Sequence, residues 1–179
     1  MNEKEYLAAV LREFRKLRDD SDRAVAQLSG EEIFRAPSPE SNSVAVLMKH
    51  IAGNMRSRWT HFLTSDGEKP DRDRDAEFEI GGGDSRENLF AEWRAGWDLL
   101  FAALEPLTPS DLDRRVKIRG ESLTVVQAIS RQLTHYAAHV GQIVYAAKWL
   151  AGARWKTLSI PRGESKTFNA SPKPYLEKK

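Results

Sequence analysis

The sequence contains no cysteine. That excludes a disulfide scaffold, a zinc finger, an iron–sulfur site and a cysteine nucleophile. No apolar run approaches the roughly 18 residues that a membrane-spanning helix needs. Neither sign of charge dominates: 28 Lys+Arg stand against 26 Asp+Glu, for a formal net charge of +2, which makes no case for nucleic acid. The first residues, Met1-Asn2-Glu3-Lys4-Glu5, lack the basic start and apolar core of a signal peptide. The expected location is therefore the cytoplasm, with no nucleic acid and no membrane as partner. What is present, 40% hydrophobic and 30% charged residues in a chain of 179, is ordinary for a folded protein. A chain of this length makes one domain with at most a tail. It buries roughly 70% of its unfolded surface, so it needs no cross-link or metal merely to fold.

Apolar residues return at helical steps over four segments. From about Asn2 to Leu28 the stripe is Tyr6, Val10, Phe14, Leu17, Val25 and Leu28. Ser29 and Glu32 then form a capping box for a short turn, which Pro37 and Pro39 end. Asn42 or Ser43 caps a second helix from about Val44 to Leu63. Asp66 to Gly83 reads as a long connection, with the alternating charges of Asp71 to Asp75 as a solvated loop. Asp84 and Glu87 open a third helix to about Leu104, and Thr108-Pro109 starts one more turn. Arg115 to Ile118 and Ser122 to Val125, flanking Gly120-Glu121, predict a small hairpin. Thr124 with Gln127 is a capping box for a fourth helix to about Leu150. The expected fold is all-α, a four-helix bundle with long crossover connections and a hairpin before the last helix. Residues 1–155 form the bundle, and 156–179 form a tail that packs on it. Trp59, Trp93, Trp97 and Trp149 are expected in the core.

Histidine is scarce, with four in the chain: His50, His61, His135 and His139. His135 and His139 stand four apart on the fourth helix, so their rings share a face one turn apart. Two imidazoles so placed can both reach one metal ion, and a third ligand from a facing helix leaves one position open. His50 and His61 are about 16 Å apart along the second helix, so only one can join them. His50 lies among Val46, Leu47, Met48 and Ile51 on the inward side and is the one chosen. Two histidines at this spacing also occur as ordinary hydrogen-bonded groups. Two further absences sharpen the metal reading. Neither the second helix nor the fourth carries an Asp or Glu, which excludes a di-iron carboxylate bundle. Tyr136 follows His135 where a zincin has its glutamate base.

Arg56, Arg58 and Arg131 add positive charge near such a site, which then favours hydroxide, thiolate or an anionic substrate. A base for water would have to come from outside the metal helices, for example Asp75, Glu77 or Glu164. Asn54, one turn after His50, and Tyr136 are candidate supporting groups.

The run Asn42-Ser43-Val44 through Leu47-Met48-Lys49-His50-Ile51, followed far downstream by His135-Tyr136-Ala137-Ala138-His139-Val140-Gly141-Gln142-Ile143, resembles the DinB/YfiT-like metalloenzymes. Arg58 to Lys69 and Leu158 to Ser165 resemble, more narrowly, a branch of unknown function. The resemblance covers nearly the whole chain. It implies an up-down-down-up four-helix bundle, often a homodimer, holding zinc or nickel on three histidines. By position these are His50, His135 and His139, with no ligand role for His61. Relatives in that wider family include transferases that use bacillithiol or mycothiol and a mycothiol-dependent maleylpyruvate isomerase. The implied function is a metal-dependent enzyme in which a Lewis-acidic ion activates a small-molecule thiol for S-transfer, or water for hydrolysis. The competing expectation is a non-catalytic bundle in which the metal merely joins two helices.

Overall fold

The structure is a computed structural model and describes residues 3–172. Among these residues it is mostly helical, with five α-helices and one two-stranded hairpin. Helix α1 spans Glu3–Val25, with acidic Glu3 and Glu5 in its first turn and Arg23 in its last, matching the helix dipole. It buries Leu7, Val10 and Phe14. Asn2, expected as its first residue, lies outside the described residues. The Ser29–Glu32 capping box forms as the sequence predicts. The Ser29 N–H donates to the Glu32 carboxylate at 2.8 Å, and the Glu32 N–H donates to Ser29 Oγ at 3.2 Å.

Helix α2, Val44–Trp59, begins at Ser43, whose hydroxyl accepts the Val46 N–H at 3.2 Å. Nearly all of its residues are buried, because it packs against α3, Arg86–Leu104, on one side and α4, Val125–Ala151, on the other. It stops earlier than the expected Leu63, at Thr60, and His61 takes a left-handed φ of 52°. The N-cap of α3 is Ser85, not Asp84. Asp84 instead accepts from Lys49 Nζ at 2.8 Å and from the Gly81 N–H at 2.7 Å. The Thr124–Gln127 capping box opens α4 as read, with both reciprocal hydrogen bonds present. Helix α1 closes the core by packing on α4 and, less extensively, on α3.

The first strand of the hairpin has the expected bounds, while the turn and the second strand sit one residue earlier than the sequence suggests. Strands β1, Arg115–Ile118, and β2, Glu121–Thr124, pair antiparallel across a two-residue turn at Arg119-Gly120. Both turn residues have positive φ, 55° and 78°, the turn type whose twist matches the strands and which favours glycine second. Arg119 tolerates this because Asp66 accepts its backbone N–H at 2.8 Å and that of Gly120 at 2.7 Å. Backbone N–H groups, that of Glu68 foremost, hold the Asp66 carboxyl below its usual range. The hairpin tip is thereby tied to the connection that follows α2.

In the core Phe14 meets Trp59, and Trp97 meets Tyr136, edge-on, and Phe14 meets Tyr136 at a tilt, with ring centroids 6.1–6.3 Å apart. Such contacts add about 0.5–1.5 kcal/mol each beyond burial. Trp149 departs from expectation: it stands 51% exposed on the outer face of α4, under the Arg35 guanidinium. After α4 the chain turns through Gly152–Arg154 and ends its described part with α5, Ser165–Ala170. Lys156 bonds through its backbone N–H and C=O to the Gln27 side chain on the segment following α1, at 2.6 and 3.0 Å. Residues 173–179 of the expected tail lie outside the described residues. No helix among the described residues is long and apolar enough to cross a membrane.

Candidate metal centre

His50 projects from the middle of α2, and His135 and His139 project from successive turns of α4. The structure brings these three together. One ligand nitrogen from each lies within 4.8 Å of the other two. The rings stand close to perpendicular, at 71–88°, with centroids 4.7–5.5 Å apart. Nε2 of His135 and Nε2 of His139 are 3.1 Å apart. Two nitrogens bound to one tetrahedral zinc at about 2.0–2.1 Å each would stand about 3.3 Å from one another. His61 is exposed at the far end of α2 and belongs to a different cavity, with Phe62 and Leu107.

Each ring's second nitrogen shows how the lone pair is aimed. His50 Nδ1 lies 2.9 Å from Glu77 Oε2, and because the carboxylate only accepts, Nδ1 donates and Nε2 is left bare. His139 Nδ1 donates to Gln142 Oε1 at 2.8 Å, which bares its Nε2 as well. His135 Nδ1 is buried with no hydrogen-bond partner. A cation between the two Nε2 atoms satisfies both lone pairs. Without one, the two nitrogens share a single proton, carried by His135 Nε2. The buried His135 Nδ1 is unpartnered in both cases, as a lone pair without the cation and as an N–H with it. What calls for a cation is the bare Nε2 of His50 and of His139. The donor set therefore fits a divalent ion that takes neutral imidazoles.

Glu77 lies in a 3-10 turn, Ala76–Phe78, inside the long connection. Its two oxygens accept from Arg72 Nε at 2.7 Å and Arg72 Nη2 at 2.8 Å, a bidentate pair. Burial alone would raise the Glu77 carboxyl, but Arg72 and His50 outweigh it and hold it below its usual range. The sequence offered Glu77 as one of three possible bases for water. The structure gives both of its oxygens other work, as an anchor for the His50 ring. Asp75 is fully solvated, at 98% side-chain exposure, and Glu164 is exposed.

Room for this carboxylate comes from Gly53, three residues after His50. A Cβ there would sit 2.4 Å from Glu77 Oε1 and 2.8 Å from its Cδ. The run Asp71 to Asp75, expected as a solvated loop, is solvated only in part. Asp71, Asp73 and Asp75 face water, whereas the Arg72 side chain between them is 3% exposed. The missed signal was a helix-interior glycine one turn from a candidate ligand, which marks a close approach by another group.

Under the three rings Tyr136 donates to Asn54 Oδ1 at 3.0 Å and accepts from Trp59 Nε1 at 3.1 Å, while Gln132 Nε2 donates to Asn54 Oδ1 at 3.3 Å. This buried network joins α2 to α4 and so fixes the distance between His50 and the other pair. Burial drives the Tyr136 phenol well above its usual range, so it stays protonated and serves as a donor. Above the rings is a cavity of about 260 Å³. It is lined by the three histidines, Asn54, Gln132 and Phe78, and by Arg58, Arg72, Arg74, Arg119 and Arg131. Arg58 and Arg131 are there as expected. Arg56 is not: it points to a separate cavity between α2 and α3.

Residues 2–164 match the family described as "Protein of unknown function (DUF1572)". The chain belongs to that family. No curated protein matches it in sequence. The family description names no reaction, so function has to be argued from the site.

Burial, then His139, His50 and the Arg58 and Arg72 guanidiniums, push His135 down to about 4. Burial likewise lowers His139, against the opposing pull of Gln142. Both rings are therefore neutral at neutral pH, as ligands must be. In the metal-free protein the unfolded chain takes a proton at His135 below about pH 6.5, while the folded chain declines it until about pH 4. The unfolded state binds more protons across that window, so stability falls as pH drops from about 6.5 to about 4. Thermal unfolding in the presence of a chelator is expected to show a falling Tm over this interval. A Tm that stays flat across it would contradict the burial of these rings as neutral groups.

Proposed function

We propose that this member of the DUF1572 family is a metal-dependent enzyme of the DinB/YfiT-like kind, built as an up-down-down-up four-helix bundle. It holds one zinc or nickel ion on His50, His135 and His139 and uses it to activate a small-molecule thiol for S-transfer, or water. The observation that carries this reading is the convergence of three imidazoles from two helices on the floor of an open cavity, with no fourth His, Asp or Glu among the described residues joining them. A purely structural ion calls for a fourth protein ligand or a sealed site. Here His135 and His139 are both only half-buried.

A divalent ion held there would supply Lewis acidity, lowering the pKa of a thiol or water beside it. The chain's own groups do the rest. Arg72 and Glu77 orient His50, Gln142 orients His139, and Asn54 with Tyr136 holds the two helices at one spacing. No carboxylate lines the cavity, which favours a thiol over water, because hydrolysis also wants a base beside the water. With no cysteine in the chain, the sulfur comes from a cosubstrate. In the transfer the sulfur forms a bond to an electrophilic carbon, the leaving group departs with its electron pair, and the thiol proton passes to solvent.

The test is to purify the protein without added metal, identify the bound ion, and screen low-molecular-weight thiols with a generic electrophile. A thiol-dependent rate that vanishes with chelator and returns with the ion is expected. A rate indifferent to chelator, or none above background with any thiol, would overturn the reading.

A further inference from the structure

Five guanidiniums line the cavity above the imidazoles, and they are not equivalent. Three are already committed. Arg72 is paired bidentately with Glu77 and also reaches Glu68 at 3.3 Å. Arg58 donates to Glu68 at 3.0 Å and to the Gly67 carbonyl. Arg119 donates to the same Glu68 oxygen at 2.9 Å. These hold the connection and the hairpin tip against α2.

Arg74 and Arg131 are different. The Arg131 side chain makes no ion pair or hydrogen bond among the described residues, and it stands one helical turn before His135 on the same face of α4. The nearest carboxylate to Arg74 is Asp75 at 3.9 Å, itself almost fully exposed, a contact that contributes little in water. Arg74 is instead placed by an aromatic face. Its guanidinium lies 5.0 Å from the Phe78 ring centroid, and Phe78 in turn packs at 4.6 Å on the His50 ring. So two uncommitted cations, one from α4 and one from the connection, look into one cavity whose lining holds no acidic side chain.

We propose that Arg74 and Arg131 form a carboxylate-recognition subsite beside the imidazole trio, so that the substrate taken there is a small organic acid. A guanidinium presents paired N–H groups in the plane that a carboxylate's two oxygens require. The cavity, at about 260 Å³, falls below the roughly 300–1,000 Å³ of sites for drug-sized ligands, so the acid is small. This deepens the thiol-activating reading and rests on it for the position of the second reactive group. The carboxylate can belong either to the thiol or to the electrophile that it attacks.

The probes are 3-mercaptopropionate and 2-mercaptoethanol, bound to the cobalt-substituted protein and followed by the sulfur-to-cobalt absorption. If the carboxylate belongs to the thiol, the carboxylated thiol is expected to bind about tenfold tighter or better than the neutral one. Arg74→Gln with Arg131→Gln should erase that preference while metal stoichiometry stays unchanged. If the carboxylate belongs to the electrophile, propionate will bind alongside 2-mercaptoethanol with the same dependence on both arginines. If it belongs to the thiol, propionate and 3-mercaptopropionate will exclude one another. Calorimetric titration of the metal-free protein with succinate reads the arginines alone, so a failure to bind cobalt sinks the metal reading without hiding the subsite. Carboxylate affinity that is the same in wild type and double variant, in both formats, would overturn the proposal.

Discussion

Replacing His135 by alanine is expected to abolish stoichiometric binding of a divalent ion. Loss of a group that merely orients a ligand costs roughly 10–100-fold in metal affinity, and loss of a ligand costs more. Only His50 and His139 would remain, one from each helix, with no acidic residue in the cavity lining to take the vacant place. The fold should not suffer. His135 is only half-buried on α4, and alanine is the best helix former. The change also removes the buried unpartnered Nδ1. Helix content by circular dichroism should therefore match wild type, and the loss of stability between about pH 6.5 and about pH 4 should shrink. Elemental analysis after reloading and desalting is the check. One ion per chain retained in this variant would contradict the assignment.

Glu77→Ala is expected to damage stability and metal affinity together, for two separable reasons. It leaves the Arg72 guanidinium, 3% exposed, with only the longer contact to Glu68. Breaking one side of a buried ion pair costs about 3–5 kcal/mol, and the remaining partner places the expected loss at the lower end, about 3 kcal/mol in urea unfolding. It also frees His50 Nδ1, so zinc affinity should fall about 10–100-fold in a competition titration. Adding Arg72→Met should recover much of the stability, since no buried charge is then left over, but none of the affinity. Affinity restored along with stability would mean that Glu77 acts only through the fold. Stability restored alone is the outcome that the His50 contact requires.

Much of this site was legible in the sequence because its ligands obey local rules. His135 and His139 share a face by helical geometry alone, and the Thr124–Gln127 box fixes where that helix begins. His50 could be preferred over His61 because an apolar neighbourhood on a helix marks its inward side. The supporting groups were not legible, because they come from the connection between α2 and α3, where no periodicity says which way a side chain points. Arg72 turns inward between two exposed aspartates only because Glu77, five residues on, is held against Gly53 of α2. Alternating charge reads as a solvated loop until that partner is known. Trp149 fails for the opposite reason: it follows the apolar pattern of α4, but no other described element covers that face except the Arg35 side chain. The second strand slipped by one residue because Gly120 was read as the first turn position, whereas its positive φ places it second, behind Arg119.

X-ray absorption at the zinc edge of the reloaded protein tests the central claim most directly. The account predicts three nitrogen scatterers at about 2.0 Å with the multiple-scattering pattern of imidazole, plus one further light atom that sulfur at about 2.3 Å replaces when a thiol is added. A shell with fewer than three imidazoles, or with four protein ligands that no thiol displaces, would contradict it.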